Sequence, residues 1–297
     1  MTGAAGAGAR GGPPGCLAIV AGSGELPRRL AEARAEAGLP YFLVVFPGCD
    51  EPWMRDHPHQ CHEFERAGRL FAALRRAGVE AVVFAGAMNR PRLRPWRADW
   101  TALGLLGRAL RLMAQGDDAM LRGFGAVFEA RGLRLISPAE VLGEALTLPP
   151  GPLGRNAPSP DDLADAARAA AIVRALGPLD VGQGAVVARG LCLAVEAIEG
   201  TDLMLARVAA LPPERRNAAP PPSGVLYKGP KPGQDRRFDL PAIGPATVEA
   251  AARAGLRGIV AAAGETQLID AATTREAADR LGLFVHGARA DELERGQ

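Results

Sequence analysis

Lysine is almost missing from this chain. Among 35 basic residues only Lys228 and Lys231 are lysine; the rest are arginine. Cysteine is scarce too, with Cys16, Cys49, Cys61 and Cys192 at spacings that form no disulfide framework. That pattern excludes a disulfide-stapled secreted scaffold and points to a reducing cytoplasm. No apolar run approaches the ~18 residues of a transmembrane helix. The opening stretch MTGAAGAGARGGPPG has no apolar core of the kind a signal peptide needs, so residues 1–15 read as a disordered tail. A net charge of +2, with no basic stripe interleaved with aromatics, argues against nucleic acid as a partner.

What is abundant is alanine, glycine and arginine, which reads as mutational bias and not as structure. That bias makes the two lysines informative, because arginine would replace any lysine that supplied charge alone. Lysine is a compact point charge on a flexible stem, arginine a planar fork, and some sites distinguish the two.

At 297 residues the chain is long enough for two domains. CLAIVAG, PYFLVVFPG and VEAVVFAGA read as buried strands, alternating with the amphipathic LPRRLAEARAEAG and RAGRLFAALRRAG. Helical segments around LGLLGRALRLMAQ and DDAMLRGFGAVFEARG follow, then LRLISP. This order predicts an α/β fold whose N-terminal domain, residues 16–148, is a Rossmann-like parallel sheet. The proline-rich LPPGPLGRNAPSP predicts a linker over 149–160. A C-terminal mixed α/β domain is expected over 161–297, opened by a helix capped at Ser159 or Asp161 with Pro160 in its first turn. GAVVARGLCLAVEAIEG predicts two strands joined at Arg189-Gly190, TDLMLARVAAL a helix with Thr201 as candidate N-cap, and GVLYKG a strand that ends on Lys228.

Several stretches carry chemistry. AGSGELP places Gly22 and Gly24 between a strand and a helix, where backbone can approach a phosphate. Proline at position 27 breaks the dinucleotide fingerprint. Asn89 and Arg90, in FAGAMNRP, follow another strand and are expected at the same sheet edge. Asp117 and Asp118 suit an ordinary helix start. The crowded His57, His59, Cys61 and His62 lack the spacing of a structural zinc site. Gln183 lies between glycines, Glu196 sits in a strand, and Thr201 and Asp202 head a helix whose N-terminus suits phosphate. Finally, KGPKPGQDRRFDLP holds Lys228, Lys231, Arg236, Arg237 and Asp239. A carboxylate among cations stays ionised and suits a divalent metal, while the lysines suit phosphate oxygens. Together these are the parts of phosphoryl transfer, in which positioning and charge neutralisation do most of the catalysis.

AGSGELP, FAGAMNRP, GDDAML, DVGQGAVV, LAVEAIEGTD and KGPKPGQDRRFDLPAIG occur in one order, and from Leu17 to about His286 the chain resembles the UDP-2,3-diacylglucosamine pyrophosphatases of lipid A synthesis, alphaproteobacterial type. The resemblance implies Mg²⁺-dependent hydrolysis to UMP and 2,3-diacylglucosamine 1-phosphate, water attacking the α-phosphorus. Mn²⁺ is the alternative metal. It also implies a lipid-linked nucleotide sugar as substrate, a peripheral place at the inner face of the cytoplasmic membrane, and a homodimer. The family's essential aspartate falls on Asp239, as catalytic and metal residue. Lys228 and Lys231 are carried over as catalytic cations, with Gly22, Gly24, Gln183, Thr201 and Asp202 as substrate contacts; Asn89 joins them from its place at the sheet edge. Tyr227 departs from the small or apolar residue expected there. Two rival classes are a Rossmann-type oxidoreductase and a non-catalytic nucleotide-sugar or lipid carrier.

Overall fold

The computed structural model describes residues 15–86, 94–105, 117–143, 146–212, 214–215, 223–235, 237–238 and 240–295. Asn89, Arg90, Arg236 and Asp239 lie outside the described residues. The chain divides into two compact units, residues 1–115 with 119–142 and residues 116–118 with 143–297.

The first unit is built on a parallel sheet of β1 (Cys16–Ala21), β2 (Tyr41–Val45), β3 (His59–Cys61), β4 (Val79–Ala85) and β5 (Arg134–Leu135), in the order β3-β2-β1-β4-β5. Its helices include α1 (Glu25–Glu36), α2 (Ala67–Arg76), α3 (Asp117–Glu129) and α4 (Pro138–Leu142). As the central strand, β1 is covered on both faces, which explains its unbroken apolar run in place of an alternating one. Ile19 pairs with Leu43 on one side and Val83 on the other, and all three are fully buried. From β1 the chain passes to β2 on one side, and β4 lies on the other. The loop after β1 therefore sits at the point where strand order reverses, the usual ligand edge of such sheets.

The second unit carries a six-stranded sheet in the order β6-β13-β11-β9-β7-β8: β6 (Gly151–Pro152), β7 (Gly184–Ala188), β8 (Leu191–Val195), β9 (Val225–Lys228), β11 (Gly258–Ala262) and β13 (Phe284–Ala288). Strands β9, β11 and β13 run parallel, while β6, β7 and β8 are antiparallel to their neighbours. Mixed directions are what the sequence pattern predicts. A small parallel pair joins β10 (Ala242–Ile243) to β12 (Gln267–Leu268). The helices are α5 (Pro160–Leu176), α6 (Gly200–Ala210), α7 (Pro245–Arg253), α8 (Ala271–Leu281) and α9 (Ala290–Arg295).

Alternate residues of β7 feed two cores. Val186 joins Leu226, Ile259, Val285 and Met204 on one face, whereas Ala185 and Val187 join Tyr227, Phe284 and the alanines of α5 on the other. Ser159 caps α5, its side chain and that of Asp162 forming a reciprocal pair with the backbone. The β7–β8 turn falls at Arg189-Gly190, with φ of 49° and 77°. Such a turn favours glycine and asparagine. Here Asp165 of α5 holds it, accepting from both amides at 2.7 Å.

The proline-rich stretch 149–160 lies on this second unit. β6 pairs with β13, the Leu153 amide donates to Val285, and Leu148 exchanges backbone bonds with Thr266 and Gly264. Among the described residues no helix is long and apolar enough to cross a membrane.

Candidate functional site

The carboxyl ends of the parallel strands β9, β11 and β13 share one edge of the second unit's sheet. Register places Gly184 of β7 opposite Lys228 of β9, with Val195 of β8 opposite Ala185. Three functional groups therefore converge. Lys228 ends β9 and is only 8% exposed; Glu196 follows β8 and is also 8% exposed; Thr201 stands in the first turn of α6. Lys228 Nζ donates to Thr201 Oγ1, which in turn donates to Glu196 Oε1 at 2.6 Å. Lys228 Nζ lies 3.6 Å from the same carboxylate oxygen. The other oxygen, Glu196 Oε2, is buried and has no hydrogen-bond partner among the described residues.

Thr201 thus differs from the expected cap. Position 199 is the N-cap of α6, with no side-chain cap bond, and the threonine hydroxyl is turned into the sheet edge to link a lysine to a glutamate. Asp202, one residue on, is exposed in the same first turn. Backbone fixes the surroundings. The Glu196 amide donates to Gly184 at 2.9 Å, and the Gly229 amide donates to Gln183 at 3.0 Å. Gln183 therefore ties the loop before β7 to the loop that carries the second lysine.

Lys231 pairs with Asp180, whose φ of 54° is left-handed. Asp180 was not singled out from sequence; its only signal is its place two residues before Gly182. Tyr227 does not wall this centre. It faces the α5 core, and burial pushes its phenol up to about 12. A side chain at position 229 would lie 2.2 Å from the Tyr227 hydroxyl, so glycine lets the loop turn across it.

In the first unit, Gly22 and Gly24 occupy the loop between β1 and α1. Gly24 has φ 104°, a conformation that suits glycine alone. Its amide donates to Glu51 Oε1 at 3.1 Å, while the Gly22 amide donates to Ala85 at 2.7 Å. Both amides that a phosphate would use are thus bonded within the chain. Glu51 also accepts from Trp53 Nε1 at 2.8 Å. The loop after β2 therefore does bring an acid to the glycine turn, although FPGCDE carries little sequence sign of it.

The His/Cys stretch is structural in its contacts. His57 Nδ1 lies 2.5 Å from the Tyr41 hydroxyl, and His59 Nδ1 lies 2.9 Å from the His57 carbonyl. His62 is buried, and desolvation holds its imidazole below the ordinary range. An unfolded histidine takes up a proton near pH ~6.5, whereas the folded His62 resists protonation until lower pH. Above the unfolded value both states are neutral. As pH falls from there toward the folded value, the unfolded state binds the extra proton and stability is lost. Thermal melting at pH 7.5 and 5.5 is expected to show a smaller acid-induced drop in His62→Gln than in the parent. An equal drop would assign the acid sensitivity to other groups.

The family model for the LpxI N-terminal domain matches residues 16–145, and that for the LpxI C-terminal domain matches residues 149–286. The chain belongs to the LpxI family. It is 43% identical over 276 residues to the UDP-2,3-diacylglucosamine pyrophosphatase LpxI of Caulobacter vibrioides, across 93% of this chain and 98% of that protein. The resemblance expected from Leu17 to about His286 is thus met by two family models that together run from residue 16 to residue 286.

Proposed function

We propose that this chain hydrolyses UDP-2,3-diacylglucosamine to UMP and 2,3-diacylglucosamine 1-phosphate. Water attacks the α-phosphorus, the bond from that phosphorus to the bridging oxygen breaks, and the sugar phosphate leaves. The buried chain Lys228–Thr201–Glu196 at the head of α6 carries the reading. It aims one ammonium group at the sheet edge and locks it there through a hydroxyl. The first-turn amides of α6 add donors for phosphate oxygens. Exposed Leu179, Ile198 and Leu203, near this centre in the chain, suit an acylated substrate.

Charge balance bears on the metal. Lys228 lies beside Glu196 and Lys231 beside Asp180, so each lysine arrives already matched by an acid. A pyrophosphate bound here needs positive charge from elsewhere. Among the described residues no three His, Cys, Asp or Glu side chains converge on a metal position. Mg²⁺ commonly takes only one or two carboxylates and completes its shell with phosphate and water. Glu196 Oε2, without a hydrogen-bond partner among the described residues, fits such a ligand. Glu196, with Asp239 from the family motif and Asp202 nearby in sequence, would hold Mg²⁺ or Mn²⁺. When bound, the ion neutralises charge on the pyrophosphate. Lys228 then meets the remaining phosphate oxygens as a point charge, and Lys231 holds its loop against Asp180. The same reading places the protein at the cytoplasmic face of the inner membrane as a peripheral homodimer.

The test is incubation of the purified protein with UDP-2,3-diacylglucosamine, with Mg²⁺ or with EDTA, and chromatographic assay of UMP. Release of UMP with Mg²⁺ and none with EDTA is the expected result. Substrate bound tightly without any UMP would identify a carrier and overturn the proposal.

A further inference from the structure

Two of the chain's three tryptophans stand almost fully in water. Trp96 is 81% and Trp100 89% exposed, and Leu103, one helical turn on, is 48% exposed. An indole offers a large apolar face with a polar N–H, and leaving two in water forfeits much of the burial that usually stabilises them. The segment that carries them is anchored. Asp99 accepts from the Gly68 amide and the Ala102 amide, each at 2.8 Å, and its own amide donates to the Glu65 carbonyl at 2.8 Å. The Arg94 amide donates to Glu65 Oε1 at 2.9 Å, and the Arg97 guanidinium donates to Glu63 at 2.9 Å. Gly68 permits the close seat, since a Cβ there would lie 2.9 Å from Asp99 Oδ2. A polar base therefore pins the turn to the start of α2 while its apolar side faces outward.

We propose that this turn, residues 94–105, is the surface by which the protein docks on an anionic lipid bilayer. The inference rests on the reading that the substrate is an acylated, membrane-resident molecule. Tryptophan favours the headgroup level of a bilayer, where its ring is apolar and its N–H is wet. Arg94 is exposed beside Trp96. Within residues 94–105 Arg94 and Arg97 stand against the single Asp99, a sign that complements anionic headgroups. Tryptophan and leucine enter the interface, and arginine meets the phosphates.

Full-length protein is mixed with vesicles of phosphatidylcholine alone or with one quarter phosphatidylglycerol, and co-sedimentation and tryptophan emission are measured. Sedimentation with the anionic vesicles and a blue shift of emission are expected. Both weaken in ~0.5 M salt, where the screening length falls below about 5 Å. Trp96→Ala/Trp100→Ala is expected to lower the partition coefficient at least about tenfold. It is also expected to leave hydrolysis of detergent-dispersed substrate and the melting temperature unchanged. Equal sedimentation of parent and variant, or none for the parent, overturns the docking surface. A change of oligomeric state in the variant, read by light scattering, overturns it in favour of a second copy of the chain as occupant. UMP assay of the parent in detergent keeps the two proposals apart. Turnover without vesicle binding removes only the docking surface, and vesicle binding without turnover removes only the hydrolase.

Discussion

Lys228→Ala is expected to release UMP about 10²–10³-fold more slowly than the parent, the usual cost of removing one donor aimed at developing transition-state charge. Lys228 is buried at the end of β9 with its ammonium on Thr201, and no other described cation touches that hydroxyl. The variant also leaves Glu196 buried without its counter-ion, which lowers stability by up to about 3–5 kcal/mol. Activity is therefore compared at a temperature where melting shows the variant folded. Lys228→Arg is the sharper test. A guanidinium is wide and planar, whereas the ammonium that meets Thr201 is a compact point charge. Arg is expected to recover less than about a tenth of the parent rate if shape matters as well as charge. Full recovery would remove the argument from lysine scarcity. Asp239→Ala, run in the same assay, is expected to fall to background if Asp239 is the essential carboxylate that the resemblance implies.

Gly182→Ala is the second large effect. A Cβ at position 182 would lie 2.0 Å from the Glu196 carbonyl oxygen and 2.6 Å from its carbon. Both are backbone, so no flexible side chain can yield. Relief requires the loop at Gly182 or β8's exit to move, and a displaced β8 exit carries Glu196 with it. Overpacking of this kind costs about 1–3 kcal/mol, or roughly 2–12 °C in melting temperature for a unit of this size. A shift near 1 Å in the carboxylate that holds Thr201 is expected to cost about 10²-fold in turnover. Gly38→Ala is the control. Its φ of 64° brings strain, yet nothing stands within 4 Å of the added methyl, and it lies in the first unit. It should lower stability modestly and leave the rate alone. A Gly182→Ala enzyme with parental rate would show that Glu196 does not need its present position.

Much of this was legible in the chain. The apolar run of β1 and the Arg189-Gly190 turn read directly, because each is set by neighbours in sequence. Strands β3, β6, β10 and β12, of two or three residues, are too short for any period to show. The lysines drew notice through composition, and Thr201 through its place at a helix head. Its bond to Glu196 did not show, since a capping threonine and a bridging one look alike in sequence. Contacts such as Gly24 with Glu51, or Lys231 with Asp180, span 27 and 51 residues and arise only from strand order. Asn89 and Asp239 stand on sequence alone.

The short strand at residues 151–152 has a practical consequence for anyone dissecting the molecule. It covers the outer edge of β13, and Gly287 is packed so closely against Pro149 that a Cβ there would lie 2.0 Å from its carbonyl. A fragment begun at residue 161 would bare that edge, leaving unpaired amides and carbonyls ready to recruit a strand from another molecule. A fragment begun a few residues before Leu148 keeps the edge sealed and retains the backbone bonds to Thr266 and Gly264. The proline-rich segment is thus an aggregation guard for the second unit's sheet.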